Sequence, residues 1–330
     1  MKYRGFGKTG IKVSEIGIGT WSMGSLWGDR DDAQALKTLN EAIDSGINFW
    51  DTAYAYGEGH SEELIGKVLK ERKYRDKIYV ATKIPPKDHH WPAKHSSHAK
   101  DIFPSAHIRE MTETSLKNLK SDYIDIQQLH VWGKDWLGQG DWLQELKKLQ
   151  KEGKVRWFGI SINDHEPDTA LDVVKSGEID SVQVIYNIFD QTPEKNLLHL
   201  CKEHGVGVIV RVPLDEGGLS GKLTPETKFA KNDWRRFYFK GDRLRETCER
   251  AERLKDFLNE ETRTIPDLAL KFCLSHPAVS TVIPGMRRPE HVRPNTRVSD
   301  LSPLPSEVLE ELKNHAWPRN FYPRWEEEGV

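Results

Sequence analysis

Cysteine is scarce. The 330 residues hold three, Cys201, Cys248 and Cys273. They are widely spaced, odd in number and without a CxxC pair. That argues against a disulfide framework and a thiolate metal site, and fits a reducing compartment. Charge imbalance is missing too: 49 basic and 51 acidic side chains leave a net charge of −2. No strong pull toward nucleic acid or an anionic membrane is expected from that balance. No apolar run approaches the length of a membrane span, and the opening "MKYRGFGKTG" lacks the apolar core of a signal peptide. These absences predict a cytoplasmic protein that binds neither nucleic acid nor membrane. Gly/Ser-rich linkers, composition breaks and low-complexity tracts are absent as well, so residues 1–330 read as a single domain.

What is present is alternation. Short apolar runs at 16–20, 47–51, 77–83, 123–130, 155–161, 181–186, 206–212 and 279–285 read as strands. Helical spacing marks the stretches between them, over 105–120, 141–152, 167–177, 194–204, 244–259 and 266–275, with a last one at 304–315. Ser61 reads as the N-cap of a helix carrying Leu64, Ile65, Val68 and Leu69. Strand–helix alternation argues for a parallel α/β fold. Eight units in this length predict a (β/α)8 barrel. "KYRGFGKTGIKVS" predicts a β-hairpin plugging its lower end. Two long loops, 84–104 and 213–242, follow strands and belong to the C-terminal face, where barrel enzymes place their active sites.

Four polar residues sit at that face. Asp51 ends the second strand, Lys83 the third and His130 the fourth, and Tyr56 follows in a loop with Gly57 and Gly59. A free phenol has a pKa near ~10, too high for an ideal acid at neutral pH. A neighbouring ammonium favours the phenolate. An Asp can hold that ammonium in place, and a neutral His can orient a carbonyl oxygen. Singly, each residue also suits a cap, a surface charge or loop packing. Together they form a proton donor for a carbonyl.

The sequence here resembles the aldo-keto reductases, from "GKTGIKVSEIGIGTW" to "VIPGMRRPEHVRPN". The most specific motif is "DTAYAYGEGHSEELIG", with "TKI" and "QLHVW" supplying the other two members. The resemblance implies a (β/α)8 barrel and NAD(P)H-dependent carbonyl reduction. It implies Asp51, Tyr56, Lys83 and His130 as the catalytic residues, with Tyr56 as general acid.

The same resemblance implies cofactor contacts at Gly19, Thr20, Trp21, Ser161, Asn163 and Gln183. The family often has Asn directly after the serine; here that position is Ile162, and Asn163 is one further on. Arg211 stands where an aromatic often stacks on the nicotinamide. "PLDEGGLSGKL" resembles the loop that wraps the pyrophosphate, with Pro213, Leu214, Gly218, Ser220 and Lys222 as candidates. "GGLSGK" alone is a weak signal, lacking the spacing of a Walker loop. At the adenosine end stand Gly285, Arg287, His291 and Asn295. Arg287 resembles an arginine used for a 2′-phosphate, so the resemblance implies NADPH, with NADH left open. Trp27, Trp91 and Trp132 are candidate substrate walls. No metal is expected: His89, His90, His95 and His98 show no zinc spacing. The reading is a reductase acting on a small-molecule carbonyl. The alternative from another class is an NADP(H)-binding, redox-sensing regulatory subunit.

Overall fold

The computed structural model of the chain describes residues 1–24 and 27–322; the remainder of the 1–330 span lies outside the described residues. β1 (Tyr3–Gly5) and β2 (Lys12–Ser14) pair antiparallel. The second sheet runs parallel in chain order through β3 (Ile18–Gly19), β4 (Phe49–Asp51), β5 (Tyr79–Ile84), β6 (Ile124–Leu129), β7 (Val155–Ser161), β8 (Ser181–Ile185), β9 (Gly207–Arg211) and β10 (Val279–Val282). Its edges meet: parallel bridges join Ile16 to Val282 and Gly19 to Gly285, and the Gly17 N–H donates to the Val282 carbonyl at 2.8 Å. The predicted (β/α)8 barrel is present.

Helices fill the connections, among them Asp32–Asp44, His60–Arg72, Ser105–Leu119, Trp142–Lys151, Leu197–Glu203 and Arg243–Arg253. They bury apolar side chains on their inner faces; His60–Arg72 buries Leu64, Ile65, Val68 and Leu69. Such side chains contribute roughly 1.5–3 kcal/mol each when fully buried. The helix expected over 167–177 divides into a 3-10 turn, Pro167–Ala170, and a short helix, Leu171–Lys175. The two long loops carry structure of their own: Ala99–Ile102 in the first, and a 3-10 segment Asp215–Ser220 with the helix Arg235–Tyr238 in the second.

The hairpin closes the barrel floor. Phe6 and Val13 are buried in a cluster with Phe49, Ala81, Ile126, Ile209 and Ile283. Gly207 makes room for this, since a Cβ there would lie 2.7 Å from the Phe6 ring. The floor cluster also positions the site above it. Side chains two apart on a strand share a face and step about 6–7 Å along it. Two residues beyond Phe49 is Asp51; beyond Ala81, Lys83; beyond Ile209, Arg211. The next two steps from Ile126 give Gln128 and then His130. The strands that pack the floor therefore deliver these polar groups to the opposite mouth.

Candidate active site

Tyr56 is held by glycines. The short helix Trp21–Gly24 lies on its backbone, and a Cβ at Gly24 would sit 2.3 Å from the Tyr56 carbonyl oxygen. Gly57 answers from the other side: it has φ +75, and its own Cβ would meet the Gly24 carbonyl at 2.5 Å. Ser61 does not cap the following helix, whose N-cap is Gly59. Its hydroxyl instead donates to Thr20 Oγ1 at 2.7 Å and accepts from Thr52 Oγ1 at 3.0 Å. That network ties the Tyr56 loop to the ends of β3 and β4.

Lys83 is the hub. Its Nζ donates to Asp51 Oδ1 at 2.6 Å, to the Thr52 carbonyl at 2.8 Å and to the Tyr56 hydroxyl at 3.1 Å. The Lys83 and Asp51 side chains are 0% and 2% exposed. Gln183 donates Nε2 to Asp51 Oδ2 at 2.7 Å, so both carboxylate oxygens are engaged. Burial works against the Lys83 charge, but Asp51 and Tyr56 outweigh it and hold the ammonium above its usual value. The phenol behaves differently from the sequence expectation. Burial raises its pKa above the usual value; Lys83 lowers it, but not enough to reverse the sign. Tyr56 thus stands as a protonated phenol with an ammonium beside its oxygen. His130 lies edge-on to it, ring centroids 5.9 Å apart. Burial, then Lys83 and Arg211, push the His130 pKa well below its usual value, so the imidazole is neutral at pH 7.

Above these residues opens a cavity of about 1140 Å³. Asp51, Tyr56 and His130 lie at its base, and Lys83 sits beneath them. Most of the residues expected from sequence line it: Gly19, Thr20, Trp21, Ser161, Asn163, Gln183, Arg211, Pro213, Leu214, Ser220, Lys222, Gly285, Arg287, His291 and Asn295, with Trp27 and Trp91. Two do not. Gly218 packs instead against Asp215 and Thr247, and Gly217 takes its place on the wall. Trp132 is fully buried; its Nε1 donates to the Thr169 carbonyl, and its ring packs edge-on to Trp136 and Trp142. Mutual burial of three indoles takes Trp132 out of the mouth.

Several lining side chains already have partners. Asn163 accepts from the Ala93 N–H at 3.2 Å and donates back to the Ala93 carbonyl, which pins the loop after β5. Arg211 donates Nη2 to Asp164 Oδ1 at 2.8 Å and to the Ile162 carbonyl at 3.0 Å, while its buried Nε has no partner among the described residues. Arg287 donates to the Trp27 and Asp29 carbonyls, closing that segment over the cavity. Sequence reading missed Trp234, Tyr322, Glu216 and Arg288. Trp234 and Tyr322 stack parallel, 5.7 Å apart and 11° from coplanar. Their aromatic character was the available signal, but both lie outside the strand ends that organised the reading. Of the histidine-rich stretch, His89 lines the cavity. Among the described residues no group of His, Cys, Asp and Glu could hold a metal ion.

The donor set fits a nicotinamide dinucleotide. The cavity is lined at its base by the Tyr56 phenol and elsewhere by Lys222, Arg287, Arg288 and His291, cationic or neutral donors suited to phosphate oxygens. Among the described residues the Gln183 side-chain oxygen accepts no hydrogen bond, while its Nε2 donates to Asp51. Comparison with known proteins agrees. The family model described as "Aldo/keto reductase family" matches residues 15–316. The aldo-keto reductase YhdN of Bacillus subtilis is 32% identical over 88% of this chain and 86% of its own. The NADH-specific methylglyoxal reductase of Escherichia coli is 31% identical over 92% and 94%. The solved structure of the aldo-keto reductase AKR11C1 from Bacillus halodurans, holo form, superposes with a TM-score of 0.75 at 30% identity, covering 96% of both chains. Barrel, site and similarity agree: the chain belongs to the aldo/keto reductase family of oxidoreductases.

Proposed function

We propose that this protein reduces an aldehyde or ketone to an alcohol with NADPH, as a cytoplasmic single-domain enzyme. The observation that carries the reading is the Lys83 ammonium, bonded at once to Asp51 and to the Tyr56 hydroxyl at the base of the cavity. A bound reduced nicotinamide supplies the hydride. Tyr56 gives its proton to the carbonyl oxygen as negative charge develops there. Lys83 offsets the charge left on the phenol oxygen, and Asp51 holds Lys83, itself held by Gln183. His130, neutral and with its Nδ1 shut away from solvent, leaves Nε2 to orient the carbonyl oxygen. The ring-lined walls, Trp21, Trp27, Trp91 and Trp234, exclude water from the reacting centre.

The preference for NADPH rests on the cations that line the cavity. Arg287 is committed to two backbone carbonyls. Arg288 and Lys222 lie on the same wall, and Lys222 makes no side-chain hydrogen bond among the described residues. A 2′-phosphate would add a strong acceptor there. Fluorescence titration with NADPH and NADH tests this, read from tryptophans on the cavity wall. Tighter binding of NADPH, followed by turnover with a panel of aldehydes and ketones, is expected. Binding of neither dinucleotide overturns the reductase reading; preference for NADH overturns the phosphate assignment alone.

A further inference from the structure

The loop after β9 forms one continuous wall of the cavity, with Pro213, Leu214, Glu216, Gly217, Ser220 and Lys222 among its contributors. Its backbone is strained. Val212, Asp215 and Glu216 have φ of +55, +49 and +53. Non-glycine residues rarely adopt that region, β-branched ones least of all. Such a shape persists only where the surroundings over-determine it. Backbone bonds within the loop, from Asp215 to Val212 and from Gly217 and Leu219 to Leu214, close its turns. They leave the two acidic side chains to be held from elsewhere.

Both are held by residues 317–322. Arg319 donates Nη2 to Asp215 Oδ1 at 2.5 Å, with the side chains 7% and 2% exposed. The Tyr322 hydroxyl donates to Glu216 Oε1 at 2.6 Å. The segment is itself anchored to the barrel, since the Trp317 N–H donates to the Phe189 carbonyl at 2.8 Å. The Arg319 guanidinium lies over the Trp317 and Phe321 rings. From inside the loop, Tyr238 adds a bond to Asp215 at 3.1 Å. A buried carboxylate that loses its guanidinium must be rehydrated or protonated, and the loop would have to open for that. The docking of 317–322 and the shape of the loop are therefore one equilibrium.

We propose that residues 317–322 are a clasp: Arg319 and Tyr322 are positioning residues that hold the loop after β9 in the shape that grips the cofactor. Cofactor binding and clasp docking then favour each other by linkage. The cofactor half rests on the reductase reading above; the clasp itself rests on the two contacts. The partners are more than a hundred residues apart in sequence.

The test uses the full-length chain and the variants Arg319→Leu, Arg319→Lys and Tyr322→Phe. NADPH release is followed by stopped-flow fluorescence, and amide hydrogen exchange is read in 213–222 and 317–322 with and without NADPH. Arg319→Leu is expected to speed release roughly tenfold and to raise exchange in 213–222 without cofactor. Arg319→Lys restores most of both effects. Tyr322→Phe, which keeps the ring stack and loses one hydrogen bond, gives a smaller change in the same direction and serves if Arg319→Leu does not fold. Saturating NADPH slows exchange in 317–322 of the wild-type chain. Unchanged loop exchange in Arg319→Leu and Tyr322→Phe overturns the clasp. Loosened loops with unchanged release, or exchange in 317–322 indifferent to bound NADPH, overturn its coupling to cofactor. A wild-type chain that binds no dinucleotide refutes the reductase reading and the coupling with it, while the apo exchange still decides the clasp.

Discussion

Gln183 donates its amide to Asp51 Oδ2 at 2.7 Å, across 132 residues of sequence. Lys83 takes the other oxygen at 2.6 Å. A carboxylate with both oxygens committed cannot swing. The line from Gln183 through Asp51 and Lys83 to the Tyr56 hydroxyl is therefore set before any ligand arrives. Preorganised charge of this kind does not have to reorganise when charge develops on a substrate. It also separates two roles: Tyr56 holds the proton, and the other three fix where its oxygen stands.

Tyr56→Phe tests the first role. The substitution removes one oxygen and keeps the ring beside Trp21 and His130. Loss of a positioned acid costs about 10²–10⁴-fold in rate. Carbonyl reduction, followed by NADPH absorbance, is expected to fall by that much, while the fluorescence titration with NADPH changes little. Retained turnover would remove Tyr56 from the proton-donor role.

Lys83→Met tests the second. The Lys83–Asp51 pair is buried, and removing one partner of a buried pair costs about 3–5 kcal/mol. Chemical denaturation should show that loss along with the loss of turnover. Asp51→Asn in the Lys83→Met background removes the stranded charge, so part of the stability returns and the activity does not. Activity returning with stability would mean the ammonium acts only on the fold.

Gly24 makes a third case, because its contact is with backbone rather than with a yielding side chain. A Cβ there lies 2.3 Å from the Tyr56 carbonyl oxygen and 2.8 Å from Tyr56 Cβ. Gly24→Ala must displace either the helix Trp21–Gly24 or Tyr56 itself. A shift of about 1 Å in a reacting group costs on the order of 10²-fold in rate. Reduced turnover with Lys83 and Asp51 intact is expected. A crystal structure of Gly24→Ala with Tyr56 in place and normal turnover would show that the surrounding turn yields without consequence.

Sequence reading reached the barrel because strand and helix periods alternate; it grouped Asp51, Lys83 and His130 because each ends a strand, with Tyr56 in the loop after one, and their roles came from the resemblance, while the fold brings the four side chains together. It failed where contacts depend on chain folding over distance. Trp132 directly follows Val131 and His130, yet its environment is set by Trp136 and Trp142 after the loop turns back. Ser61 has the composition of a cap, but Thr20, forty-one residues earlier, takes its hydroxyl. That the Arg287 guanidinium also donates to the carbonyls of Trp27 and Asp29 had no signal in the sequence. No local signal pairs Glu216 with Tyr322; only the folded chain brings them within 2.6 Å.

Glu216 gives the pH prediction. Burial, with Asp215 and Asp164 adding to it, raises its carboxyl from 4.5 to about 7, against the opposing effects of Tyr322 and Arg211. The folded chain thus keeps a proton that the unfolded chain has released. For an acid with a raised folded pKa, the stability contribution is complete below the unfolded value, declines as pH rises from 4.5 to 7, and is gone above that. A shift of this size corresponds to about 3 kcal/mol. Many other groups titrate over the same range, so the informative quantity is a difference. Glu216→Gln keeps an oxygen to accept from Tyr322 and never ionises. Urea denaturation of both proteins should show nearly equal stability at pH 5. The advantage of Glu216→Gln should grow by about 3 kcal/mol up to pH 7 to 8 and level off beyond. A difference that stays constant across that window would mean Glu216 is hydrated in solution, and the wall between Tyr322 and the loop after β9 would then be open rather than closed.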